Sequence, residues 1–347
     1  FLHLMHGRMQ KHLTETLRHL LGQKGRYLTR IPYDGIGQKL IRACQSPITQ
    51  IDDDNEYIAC TLGYIVEIVT TAVWIQWFDL LNEGIQENPC MLQGKFPSHG
   101  VRQEIHTILM KFSCSSIGSH LASKCLEQYV VDQEGLDMAH EFLLLGSSSD
   151  VASGKLKLAT FYLLQNNVLL AEYVLQNIEK NYTFLVSNVQ IEGLNVHAML
   201  RIISGNLSTI EIIRYYHAFP VPYLPSEIHC TPEALIQEMF RSTGSYEGSL
   251  DSVWGFCQSW AVVDPKFYLH FLKYQCYHRQ NKILQKMAAF NNMIWVIRHE
   301  TLRYRDTALN LLAYCLRKDG FLLQSYFALS RSMQLKNQQN AAKWQIA

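Results

Sequence analysis

The residues best suited to chemistry are Asp52, Asp53 and Asp54, which follow Gly35 and Gly37 at a distance. Nucleotidyl transfer on a metal pair needs carboxylates at alternate positions of a strand, because only every second side chain reaches the same face. Three adjacent Asp residues do not alternate, and no Ser follows either Gly, so a metal role is not the expected one. His217, His229 and Cys230 are metal-competent, but no second spaced Cys pair accompanies them. Cys114, His120 and Cys125 fall on apolar helical faces, where a buried thiol is the default. A GxSxG elbow, a P-loop and a GxGxxG turn are all missing from the sequence. Trp254, Phe256, Trp260, Tyr268, Phe271 and Tyr274 cluster at helical spacing and read as core rather than as a ligand cage. No catalytic, cofactor-binding or metal site is therefore expected.

Composition narrows the classes further. With 347 residues, 48% of them hydrophobic and 18% charged, the chain can bury a large core. A net charge of +1 gives no global field for nucleic acid or membrane. Nine cysteines without a CxxC pair fit free or buried thiols in a reducing compartment, so a cytoplasmic location is expected. The longest apolar run, residues 61–81, carries Glu67, Gln76 and Asp79, and reads as a buried helix rather than a membrane span. Charge is uneven: residues 51–94 hold eight acids and no Lys or Arg, whereas Arg8, Lys11, Arg18, Lys24, Arg26 and Arg30 make the start basic. A solvated helix face accounts for the basic stretch more simply than a nucleic-acid patch, since no interleaved aromatics or Gly-rich turn accompany it. Phe1 in place of Met leads to the expectation that part of the chain lies upstream.

The elements that would position these side chains are helical throughout. Residues 2–22 carry Leu4, Met5, Met9, Leu13, Leu17, Leu20 and Leu21 at three- and four-residue steps. Helices are predicted over 55–82, 102–112, 117–132 and 134–145, with Asp150 or Ser153 capping a further one. Residues 156–164 and 168–182 then form a hairpin about Gln165-Asn166-Asn167. The C-terminal stretch forms another about Gly320. Ala159, Ala171, Leu175 and Ile178 in the first have the mutual spacing of Ala313, Ser325, Leu329 and Ser332 in the second, so small residues face each other across both pairs. A further pair is predicted over 265–278 and 282–297. The stretch 184–226 interrupts this pattern: Pro220, Pro222 and Pro225 forbid helix and favour an extended path. Thr231-Pro232-Glu233 then reads as a helix start capped by Thr231.

A helix pair of this kind cannot bury its apolar stripe alone and implies stacked neighbours. The predicted fold is all-α: a helix-hairpin, tetratricopeptide-like solenoid with an irregular Pro-containing insertion. Its expected divisions are 1–100, a helical region of uncertain type; 101–182, helical repeats; 183–230, the insertion; and 231–347, the C-terminal tetratricopeptide-like region.

Several stretches also resemble a known family. They are Ser153-Gly154-Lys155-Leu156-Lys157-Leu158-Ala159, Trp260-Ala261-Val262-Val263-Asp264, Tyr268-Leu269-His270-Phe271-Leu272, Arg298-His299-Glu300-Thr301, residues 307–312 and Asn340-Ala341-Ala342-Lys343-Trp344. Together they look like the C-terminal region of the invertebrate, especially molluscan, relatives of the male-abnormal family, proteins similar to cyclic GMP-AMP synthase. The resemblance covers residues 103–347 well and the first hundred poorly. It implies an upstream nucleotidyltransferase core and a link to innate-immune signalling. The family's Gly-Ser turn, alternating acids and zinc thumb are missing here, so none of its catalytic residues carries over.

The expected function is a non-catalytic protein-interaction module that binds a protein partner or itself through a groove between stacked helices, around residues 153–182 and 265–347. Tyr274, His278, Arg298, Arg305, Asn310, Tyr314 and Arg317 are the candidate contact residues. No cofactor is expected, nor a membrane or nucleic-acid partner; a small-molecule ligand is left open. The alternative is a divergent or truncated nucleotidyltransferase that makes nucleotide second messengers with Asp52–Asp54.

Overall fold

A computed structural model describes residues 99–127, 133–182, 186–188, 209–239, 241, 260–336 and 340–346. Asp52–Asp54, the basic N-terminal stretch, the 55–82 helix, Trp254 and Phe256 lie outside them. The described part is all-α, as expected. Its order is α1 (His99–Glu127), α2 (Gln133–Gly146), α3 (Ser153–Leu164), α4 (Val168–Asn181), β1 (Ser187–Asn188), α5 (Thr209–Tyr216), β2 (His217–Ala218), β3 (Val221–Tyr223), a 3-10 helix (Pro225–Cys230), α6 (Glu233–Met239), β4 (Ala261–Val263), α7 (Pro265–Arg279), α8 (Ile283–His299), α9 (Arg305–Lys318), α10 (Leu322–Leu335) and α11 (Ala342–Ile346).

Four helix pairs follow one another in a row. α1 packs on α2, α3 on α4, α7 on α8 and α9 on α10, and each pair touches the next through α2–α3, α4–α7 and α8–α9. One apolar cluster runs through the whole row, from Cys114 on α1 to Cys315 on α9.

The last three pairs share one turn. Asn166, Asn281 and Gly320 each adopt positive φ, at 59°, 55° and 86°. In each case the following amide donates to the carbonyl five residues back: Asn167 to Tyr162 at 2.8 Å, Lys282 to Tyr277 at 3.0 Å and Phe321 to Leu316 at 2.8 Å. The left-handed residue itself donates three residues back, to Leu163, His278 and Arg317. This is the Schellman ending. It satisfies orphan carbonyls and selects Gly or Asn, because other side chains are strained at positive φ.

Close approach of the helices comes from small residues. Seven residues before the left-handed position stand Ala159 and Ala313, and five after it stand Ala171 and Ser325. Ser325 Oγ donates to the Ala313 carbonyl at 2.9 Å, so the facing backbones nearly touch. The α7–α8 pair departs from this rule, with Tyr274 and Lys286 at the same two places. There the Lys286 ammonium sits 5.6 Å from the centre of the Tyr274 ring, and a cation–π contact replaces the small-residue contact.

α1 corrects one expectation. Two helices were predicted across 102–132, yet one runs unbroken through Ser113-Cys114-Ser115-Ser116. Ser is a weak helix former, but here small side chains are what the packing needs. A Cβ placed on Gly146 would lie 2.1 Å from Ser115 Oγ, and one on Gly154 would lie 2.1 Å from the Gly146 carbonyl oxygen. Tertiary contact thus overrides local propensity.

Around Pro220 and Pro222 the chain is extended, as expected, and paired, but the stretch expected to be irregular also contains the helix α5, and Pro225 opens the 3-10 helix. β3 lies antiparallel to β4 with Val221 opposite Val263, and β1 lies parallel to β2 with Ser187 opposite His217. Thr231 does not cap α6 as predicted: its hydroxyl donates back to the Glu227 carbonyl at 2.8 Å and closes the 3-10 helix. Asp150 is not the N-cap of α3, a place that Ala152 holds without a side-chain cap, but it binds the helix start. Its carboxylate accepts from the Ser153 amide at 2.9 Å and from the Phe219 amide at 2.9 Å, tying the start of α3 to the extended stretch.

Candidate functional site

The seven candidate contact residues divide into three groups. Tyr274 and Asn310 are fully buried. Tyr274 donates to the Cys315 carbonyl at 3.3 Å, and Asn310 bonds Glu238 at 2.7 Å and Asn340 at 3.0 Å. Both belong to the framework and cannot touch a partner in the folded chain. His278 and Tyr314 lie half-buried beside the α7–α8 and α9–α10 turns. His278 stacks on Tyr274, with ring centres 6.1 Å apart, and burial together with Lys318 and Lys286 lowers its pKa. Burial and Glu233, which accepts from its hydroxyl at 3.2 Å, push Tyr314 up to about 12. Arg298, Arg305 and Arg317 are exposed, and two of them are engaged with backbone: Arg305 on the Ile297 carbonyl at 2.9 Å and Arg317 on the Gln345 carbonyl at 2.7 Å. Tyr274, His278 and Tyr314 lie near one another, Tyr274 stacking on His278 and feeling the charge of Tyr314.

The first helices of the stacked pairs are largely covered. Ten of twelve residues of α3, eleven of fifteen of α7 and nine of fourteen of α9 are buried. α1, the 3-10 helix and β3 cover α3, while α6, β4 and α7 cover α9. What lies beneath is a polar framework that the sequence reading missed. Lys157 on α3 donates to Glu227 of the 3-10 helix at 2.7 Å, both side chains almost wholly out of water. Glu227 accepts from the Leu224 amide at 2.7 Å as well, and the ammonium lies 5.1 Å from the centre of the Tyr223 ring. The hydroxyls of Thr160, Tyr223 and Tyr268 close a triangle with sides of 2.8, 3.0 and 3.0 Å. Burial raises the pKa of both tyrosines, so the hydroxyls stay neutral and act as donors and acceptors. Residues seventy apart in sequence make the Lys157–Glu227 pair, and no local pattern announces it.

The metal and nucleophile candidates resolve as structure. Cys114, Cys125 and Cys230 are buried, and burial pushes the Cys114 and Cys230 thiols up to about 12, where thiolate chemistry is switched off. His217 is buried, but His229 is exposed. Among the described residues no three His, Cys, Asp or Glu side chains gather into a group able to hold a metal ion. Trp260, Tyr268, Phe271 and Tyr274 are core, as expected of their helical spacing.

The open surface is on the second helices. Only three of fourteen residues of α4, four of seventeen of α8 and four of fourteen of α10 are buried. Directly after each shared turn stands an exposed apolar group: Leu169, Leu170 and Tyr173 on α4; Ile283, Leu284 and Met287 on α8; Leu322, Leu323, Tyr326 and Phe327 on α10. Leu284 keeps 82% of its surface in water and Leu169 keeps 74%. Ion pairs hold the three groups side by side. Lys282 at the head of α8 meets Glu172 on α4 at 2.9 Å, and Lys286 on α8 meets Asp319 at the α9–α10 turn at 2.8 Å. Burial pushes the Glu172 carboxyl up, but hydrogen bonds from Lys282 and Gln280 outweigh it and hold the group below its ordinary value. These pairs link the starts of the three helices, where the exposed apolar groups stand.

Comparison with protein-family models, with curated proteins and with solved structures finds no match to this chain. Among the described residues no helix is long and apolar enough to cross a membrane.

Proposed function

We propose that this chain is a non-catalytic helical interaction module whose docking surface is the apolar band on α4, α8 and α10. The observation that carries the reading is the recurrence of exposed Leu, Ile, Tyr and Phe at the same place in three successive helix pairs. Single exposed apolar residues need no explanation, but a contiguous band marks a binding surface, since leaving it in water forgoes about 25 cal/mol per Å². The inner helices α3, α7 and α9 serve as scaffold. The resemblance to the helical tail of male-abnormal-like proteins agrees with a binding role, and the innate-immune setting it implies is part of the proposal. The nucleotidyltransferase alternative rests on Asp52–Asp54, and incubation with nucleoside triphosphates and Mg²⁺ or Mn²⁺ tests it directly: no product removes it.

A photo-crosslinking residue placed at Leu323, compared with one at the exposed Glu141 on α2, tests the docking surface. The expected result is a discrete protein adduct from position 323 and none from 141. Equal or absent labelling from both positions would contradict the reading.

A further inference from the structure

We infer that the occupant of the apolar band is a second copy of this chain, joined face to face about a two-fold axis; the inference rests on the interaction-module reading above. Three features of the band point to a like partner.

The first is charge. From Ile283 to Ile297 on α8 Lys286 is the single charged residue, and it is already paired with Asp319. From Phe321 to Ser330 on α10 there is none. A two-fold interface sets a surface against itself, so any net charge on it meets the same charge in the partner. On α4 the acids Glu172 and Glu179 are paired with Lys282 and Lys273, so the band escapes most of that repulsion. The same neutrality leaves nothing for a nucleic acid, an anionic lipid surface or a charged peptide to recognise.

The second is the polar chemistry inside the band. Over residues 283–297 and 321–330 its exposed polar groups include the amides of Gln285, Asn291, Asn292 and Gln324 and the hydroxyl of Tyr326. A carboxamide carries both donors and an acceptor, so it can pair with a carboxamide. A hydroxyl has the same double capacity, so these parts of α8 and α10 are complementary to themselves, whereas a face of carboxylates or ammonium groups alone would need an opposite.

The third is area. Ile283, Leu284, Leu322, Leu323, Tyr326 and Phe327 are each more than half exposed, and so are Leu169 and Tyr173 on α4. At roughly 150–250 Å² for a large side chain, the eight present on the order of 1,000 Å², against about 800 Å² per partner in a standard interface. It also exceeds the roughly 300–600 Å² of the largest apolar patch on a typical monomer.

The test is sedimentation velocity on the 347-residue chain at micromolar concentrations, with two double variants, Leu284→Glu/Leu323→Glu and Leu284→Lys/Leu323→Lys. The wild type is expected to sediment as a dimer. Each double variant should be a monomer with unchanged circular dichroism, its dissociation constant raised at least tenfold. A mixture of the two should regain the dimer, because opposite charges then meet across the two-fold axis. A wild-type dimer that both variants leave intact places the contact elsewhere and overturns the inference. A monomeric wild type overturns it as well, and the crosslink from position 323 then separates two causes. A heterologous adduct shows a different partner and leaves the interaction module standing. No adduct of any kind removes both readings. A monomer whose band resists oxidation at Met287 and Tyr326 shows that the chain's own remaining residues cover it, and this too excludes the second copy.

Discussion

The two helices of each repeated pair put similar apolar content to opposite uses. α9 and α10 have fourteen residues each and share one turn; nine are buried in α9 and four in α10. α3 and α4 show the same contrast, as do α7 and α8. The first helix of a pair is surrounded by neighbours, and Lys157, Thr160 and Asn310 each find a buried partner there. The second helix buries a narrow stripe, Ala171-Leu175-Ile178 or Ser325-Leu329-Ser332, and turns its remaining apolar residues outward. An apolar residue in this chain therefore says little by itself. Its position relative to the turn decides whether it holds the fold or lies in water.

The contrast can be broken most severely in the first helices. Lys157→Met leaves Glu227 charged and buried without its cation, and should lower unfolding free energy by about 3–5 kcal/mol. The double change Lys157→Met/Glu227→Leu should be milder than the single one. Urea unfolding of the three chains measures both effects, and a mild single variant would show that the pair is not structural.

Asp264 gives a pH signature of the same buried framework. It stands before α7 but turns its carboxylate to the Arg303 and Tyr304 amides, at 3.3 and 2.9 Å. Burial pushes its pKa up to about 6 from an ordinary 3.8. The folded chain thus holds a proton more tightly than the unfolded chain at this site. Its contribution is unfavourable at neutral pH and is relieved as pH falls from about 6 toward 3.8, by roughly 2–3 kcal/mol. Relative to Asp264→Asn, the wild type should gain stability between pH 7 and pH 4 in thermal melts. A difference that stays constant across that range would contradict this.

Packing between α1, α2 and α3 comes next. Gly146→Ala drives a methyl group onto Ser115 and should cost about 1–3 kcal/mol. Gly320→Ala meets open space, so only its φ of 86° opposes it, and about 1–2 kcal/mol is expected. If Gly320→Ala proved the costlier in denaturant unfolding, backbone strain would outrank packing here.

The smallest stability effects belong to the second helices. Leu284→Gln and Leu323→Gln should change unfolding free energy of the isolated chain by less than about 0.5 kcal/mol while weakening association. A large loss of stability from either would mean that the residue is packed, and would sink the contrast.

Much of the scaffold is legible in the sequence. The hairpins around residues 166, 281 and 320 follow from apolar spacing together with Asn or Gly where positive φ is needed. The small-residue contacts follow from Ala159, Ala171, Ala313 and Ser325. The unbroken course of α1 does not, because its serines lower local propensity, and the close approach of Ser115 to Gly146 and Gly154 is visible only in the tertiary structure. Nor does the Lys157–Glu227 pair, whose partners are brought together by tertiary structure alone. The candidate contact residues are polar, charged and aromatic side chains of α7, α8 and α9, Arg298 lying on α8. Leu169, Leu284 and Leu323 are not among them, because they resemble core in sequence although they lie in water.

The most direct measurement is oxidative footprinting of Met287, Tyr326 and Phe327 as the concentration of the chain rises. Protection of all three in step with association, with Tyr173 following, is the predicted result. Unchanged oxidation at concentrations where the chain associates would contradict the assignment of the second helices as the docking face.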